Sequence, residues 1–167
     1  MAMRVYRITR DVSGEAYRRV LEAALDEAST FSLVWRHQLR FAASATEVGN
    51  ALRGLQLRKE TRHRWPGTIL HGKAQRASVV TYRAAPAALP TLLEPGSLFA
   101  WRAPTYPEDL SFATDKAVCL ATVSHEADGW IISPSLARAV GQSVTLVRET
   151  MDEREWALFK NDDRIKN

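Results

Sequence analysis

The sequence predicts a single α+β domain: a mainly antiparallel sheet, with a meander in the C-terminal half, packed by two or more amphipathic helices. Three observations carry that prediction. From Glu15 to Ala28, the apolar residues Tyr17, Val20, Leu21, Ala24, Leu25 and Ala28 recur at helical spacing and share one face. Phe31 to Arg36 and Ser78 to Arg83 instead alternate, as half-buried strands do. The stretch from Trp101 to Ile132 reads as a three-strand meander, with turns at residues 113–116 and 126–129.

The 167 residues suffice for one core, and residues 1–160 read as one domain followed by a polar tail over 161–167. No run of apolar residues approaches the length of a membrane span, and the N-terminus lacks the apolar core of a secretory signal. Cys119 is the only cysteine, so the chain has no internal disulfide. These features predict a cytoplasmic protein. The net charge of +4 is unevenly spread. Residues 53–76 hold Arg53, Arg58, Lys59, Arg62, Arg64, Lys73 and Arg76 against Glu60 alone, a balance of +6, which leaves −2 for the rest. Such a segment favours an acidic partner.

Met3 to Thr9 reads as a first strand, at an edge or half-exposed. Asp11 and Ser13 offer cap oxygens to the helix that follows, and Phe31 to Arg36 is expected to return antiparallel from it. Ser44-Ala45-Thr46-Glu47 has the form of a capping box for a second helix burying Val48, Ala51, Leu52 and Leu55. Periodicity leaves Leu55 to Trp65 open between helix and strand. Trp65-Pro66-Gly67-Thr68 is a turn. Pro86, Pro90 and Pro95 bracket short helical pieces. Ser133-Pro134 starts a helix that Gly141 ends, Val144 to Val147 is extended, and Asp152 to Glu155 caps a final turn bearing Trp156, Leu158 and Phe159.

With those meander turns, Phe112 opposes Ala117, Leu110 opposes Cys119, His125 opposes Trp130 and Val123 opposes Ile132. One face then carries Leu110, Phe112, Cys119, Ala121, Val123, His125, Trp130 and Ile132. On such a strand Ser124 and His125 point to opposite faces, so they form no nucleophile–base pair, and Cys119 lies roughly 20 Å from His125. The four histidines show no metal-ligand spacing, no glycine loop cradles a phosphate, and no cofactor or metal is expected. Glu108 and Asp109 after Pro107 are the remaining acid/base candidates, although acids after a proline commonly cap a turn.

Trp65-Pro66-Gly67-Thr68, Val79-Val80-Thr81-Tyr82-Arg83, Phe99-Ala100-Trp101, Tyr106-Pro107-Glu108-Asp109-Leu110-Ser111-Phe112 and Ser124-His125-Glu126 together span roughly residues 60–132. Through these short motifs the chain resembles a loose family of small uncharacterised bacterial proteins, some labelled stage III sporulation protein AH. The resemblance carries no active site across. It implies a stand-alone accessory protein of the kind that serves as an immunity or partner-binding factor.

The leading expectation is thus a non-enzymatic factor binding an acidic protein partner, such as a toxin, an effector or a complex subunit in a defence operon. Its contact residues would be Arg58, Lys59, Arg62, Arg64, Trp65, Lys73, Arg76, Trp101 and Tyr106, since arginine and aromatic residues anchor interfaces. The alternative is a nucleic-acid-binding subunit contacting phosphates through Arg53–Arg76, with Trp65 stacking on a base. A third reading is an enzyme using Glu108, Asp109 and His125.

Overall fold

The computed structural model describes residues 2–160, so the expected tail over 161–167 lies outside the described residues. Strand β1 (Met3–Ile8) leads to helix α1 (Gly14–Glu27), β2 (Thr30–Arg36) and α2 (Ala43–Ala51). Then come β3 (Gln56–Arg62), the two-residue strands β4 (Arg64–Trp65) and β5 (Thr68–Ile69), β6 (Ala77–Arg83) and α3 (Leu89–Leu93). The second half holds β7 (Glu108–Ala113), β8 (Val118–Val123), β9 (Asp128–Ile131), α4 (Pro134–Val140), β10 (Leu146–Met151) and α5 (Glu153–Ala157). Eight strands form one antiparallel sheet in the order β10-β1-β9-β8-β7-β2-β6-β3, and β4 pairs with β5 as a separate hairpin. The fold is α+β, as the sequence predicts.

One face of the sheet carries helices α1 to α4. Tyr17, Val20, Leu21, Ala24 and Leu25 of α1 pack with Ile8, Leu33, Tyr82, Phe112, Leu120 and Ile131 in one buried cluster. Burying a large apolar side chain is worth about 2 kcal/mol, so packing fixes this helix more than propensity does. The Tyr17 hydroxyl donates to the Leu92 carbonyl at 2.5 Å and accepts from the Trp101 indole at 2.9 Å, tying α1 to α3 and to the chain entering β7. Burial pushes the Tyr17 hydroxyl pKa above its ordinary value.

The opposite face is covered too. Val5, Val118, Ala121, Ile132, Met151 and Phe159 form one cluster, against which Trp130 and Trp156 pack. Val34, Trp65, Leu70, Ala77 and Val79 form another beneath the β4–β5 hairpin. Gly67 sits at the tip of that hairpin with φ +84°, its N–H donating to the Leu158 carbonyl at 2.9 Å. A Cβ there would lie 2.9 Å from Val123 Cγ2, so only glycine allows the hairpin to seat. Helix α5 starts on the capping box that Asp152 and Glu155 spell out.

Several local expectations are corrected. The first strand is not at an edge: β1 lies between β10 and β9, and β2 lies between β7 and β6. Helix α2 begins after Ala42 rather than on a Ser44 capping box, because the Ser44 hydroxyl donates to the Thr105 carbonyl instead. Ala51 is exposed, and Leu55 to Arg62 resolves into a tight turn followed by β3. In the meander, Phe112 faces Leu120, and Ala121 faces Trp130. Leu110, Phe112, Leu120 and Ile131 join the helix-side cluster, whereas Ala121 and Ile132 join the other. Register follows the hydrophobic pattern only where one face is wet. Here both faces are covered, so either registration buries apolar side chains.

Candidate functional site

The acidic pair sits at the N-terminal end of β7, where a register shift against β2 falls between the Ser32–Ser111 and Val34–Glu108 pairs. On a regular strand Glu108 and Asp109 would point to opposite faces. Asp109 instead adopts φ +54°, a left-handed conformation that aspartate tolerates better than most residues, and a bulge re-aims side chains. Strand β8, the neighbour of β7, ends at Val123, and Ser124–Glu126 then forms a tight 3-10 turn closed by Ala127 at φ +52°. That turn, rather than an extended strand, carries His125. One ligand atom from each of Glu108, Asp109 and His125 lies within 4.8 Å of the others.

Each member has a distinct environment. Asp109 is 1% exposed. Its Oδ2 accepts from the Trp65 indole at 2.8 Å, and its Oδ1 accepts from the Ser124 amide at 2.9 Å. Burial pushes its carboxyl up to about 6, against the pull of those two hydrogen bonds. Glu108 is also buried, with Oε2 2.8 Å from Arg36 Nε. Neither of those two atoms makes a hydrogen bond among the described residues, so the contact is an ion pair held by charge. The Arg36 guanidinium lies over the Trp65 ring, 5.3 Å from its centroid. His125 is the solvent-facing member, its Nε2 3.7 Å from Glu126 Oε1. Two carboxylates and an imidazole suit a divalent cation or proton transfer. The guanidinium of Arg36 already balances one of the negative charges.

The basic segment is split by strand alternation. Arg58 pairs with Thr81, Glu60 with Val79 and Arg62 with Ala77, on the hairpin side of the sheet. Lys59 pairs with Val80 and faces the helices. Arg58 and Arg62 both bring Nε to 3.4 Å from Glu60 Oε2. The Arg62 side chain is only 13% exposed, and Arg64 donates to the Ala157 carbonyl at 2.8 Å. Lys73 and Arg76 are exposed on the loop before β6. Arg58 and Lys59 are exposed on β3, the outermost strand of the sheet.

The aromatic surface expected around Trp65, Trp101 and Tyr106 is not presented to solvent. Trp65 is buried because its indole serves Asp109, and Trp101 because its indole serves Tyr17. Tyr106 is half-buried, its ring 5.6 Å from that of Trp101 and its hydroxyl donating to the Glu94 carbonyl at 3.3 Å. Sequence reasoning also missed Arg36 as the partner of Glu108. Its position at the end of an alternating strand was the one signal available, and the pairing required knowing that β2 lies beside β7.

Comparison with protein families, with curated proteins and with solved structures finds no match. None of the three supports the resemblance drawn over residues 60–132. Among the described residues no helix is long and apolar enough to cross a membrane.

Proposed function

We propose that the protein is a non-enzymatic accessory factor that binds an acidic, extended segment of a partner protein along β3. The position of β3 carries this reading. It is the last strand of an eight-stranded sheet, so among the described residues one side of its backbone has no strand beside it, and Leu57, Arg58 and Lys59 on it are exposed. An open edge is a template for an added strand, with main-chain hydrogen bonds giving affinity and side chains giving selection. Leu57 is 57% exposed, more than any other large apolar residue described. It supplies an apolar anchor beside Arg58 and Lys59. The opposite edge, β10, offers Arg148 and Glu149 side by side and no net charge preference.

The test is partner capture by the wild type and by a Leu57→Glu, Arg58→Glu double variant of unchanged circular dichroism. Loss of the partner from the variant supports the reading, and retention of every partner contradicts it. A nucleic-acid ligand would reveal itself by steep weakening between about 50 and 200 mM salt.

A second reading is favoured by the convergence of Glu108, Asp109 and His125: a catalytic centre that holds a divalent cation. Paramagnetic Mn²⁺ should then broaden the Ser124 and His125 amide resonances in the wild type and not in a His125→Ala variant. Equal broadening in both proteins, or none in either, counts against it.

A further inference from the structure

A cleft of about 330 Å³ lies between α2 and the β2, β6 and β3 strands, on the helix side of the sheet. We propose that it binds a small planar anion, an aromatic ring bearing a carboxylate or a phosphate. The size falls within the usual range of small-molecule pockets. Its walls combine two aromatic rings, Trp35 and Tyr82, with two cations, Arg53 and Lys59, and no acidic residue lines it. Rings recognise a planar face, while a guanidinium and an ammonium recognise the negative group.

Two further observations leave the cleft open to an occupant. Tyr82 is 1% exposed, yet its hydroxyl forms no hydrogen bond with another described residue. That hydroxyl is not enclosed, unlike Arg36 Nε, Thr68 Oγ1 and Glu108 Oε2, so it opens on the cleft, where a ligand oxygen can bond it. Gly49 lies inside α2, where glycine weakens a helix. A Cβ there would meet only Trp35 Cζ2, at an ordinary 3.8 Å. Packing therefore does not demand glycine at this position, but a long side chain would fill the cleft. Arg53 is held at the rim by a 2.7 Å bond to Asn50 Oδ1, which uses one of its five donors. The cleft shares Lys59 with the β3 edge, but neither Gly49 nor Arg53 lies on β3, so variants at those two positions test this site separately from partner binding there.

The experiment uses ¹⁵N-resolved NMR of the full chain with four probes. They are adenosine 5′-monophosphate, 2-naphthoate, and the uncharged counterparts adenosine and 2-naphthalenemethanol. At least one anion should shift the Trp35 indole and Gly49 amide signals at millimolar concentration, and its uncharged counterpart should bind about tenfold more weakly. The preferred anion distinguishes a nucleotide phosphate from an aromatic carboxylate. Arg53→Ala should weaken binding about tenfold, and Gly49→Leu should abolish it. Because Arg53 is exposed, its variant keeps the test intact if Gly49→Leu does not fold. Silence from both anions, equal binding of the uncharged probes, or undiminished binding by the variants overturns the proposal.

Discussion

Replacing Asp109 by asparagine should change how stability depends on pH. Burial raises the Asp109 carboxyl from 3.8 to about 6 in the folded protein. Between these two values the folded chain binds more protons at this site than the unfolded chain does. Stability from this group is therefore fully present below pH 3.8 and is lost as pH rises through 6. A rise of about two in pKa corresponds to about 3 kcal/mol. Asparagine cannot ionise, so the variant lacks this contribution. Its single carbonyl oxygen cannot fill the roles of both carboxylate oxygens, which serve Trp65 and Ser124. That leaves one buried N–H without an acceptor, at a cost of about 1–3 kcal/mol at every pH. Urea unfolding of both proteins at pH 4, 5, 6 and 7 separates the two effects. The stability difference should move by about 2 kcal/mol in favour of the variant across that range, the rest lying below pH 4. A difference that stays constant from pH 4 to 7 would refute the assignment of a strained, desolvated carboxylate to this site.

Arg36→Ala should destabilise the protein by about 3–5 kcal/mol in denaturant titration, because it leaves the buried Glu108 carboxylate without its cation. Gly67→Ala should cost about 1–3 kcal/mol by the same assay, since the added Cβ meets Val123 at a backbone angle alanine disfavours. Gly49→Ala should instead stabilise by about 1 kcal/mol, through helix propensity alone. Leu57→Glu should change stability by less than about 0.5 kcal/mol, as expected of an exposed position.

Local periodicity made much of the fold legible. Tyr17, Val20, Leu21, Ala24 and Leu25 are buried on α1 as their spacing demands, and Asp152 with Glu155 caps α5 as written. Neighbours within the meander were legible, with β7 beside β8 and β8 beside β9, but the long-range strand partners were not. The three strands β9, β8 and β7 separate β1 from β2, and no short-range signal encodes that insertion. Register in the meander was lost for a different reason. Layers on both sides of the sheet demand apolar residues on both faces, so alternation no longer discriminates.

At the candidate site, the adjacency of Glu108 and Asp109 was visible, but the bulge and the positive φ that turn both toward His125 were not. His125 read as a strand residue because Ser124–Glu126 lacks the glycine or proline that usually marks a turn. Trp65 and Trp101 read as surface anchors because their hydrogen-bond partners, Asp109 and Tyr17, lie 44 and 84 residues away. The concentration of charge in residues 53–76 was plain, yet its division between faces required knowing that Gln56 to Arg62 is a strand.

Site-specific photocrosslinking tests the central claim most directly. A Leu57→benzoylphenylalanine protein probes the β3 edge, and Val147→benzoylphenylalanine, at the 44% exposed Val147 of β10, probes the opposite edge. Irradiated in extracts of the source cells, the first should form a covalent adduct with one acidic protein, and the second should not. An adduct from position 147 alone, or none from position 57, would contradict partner binding along β3.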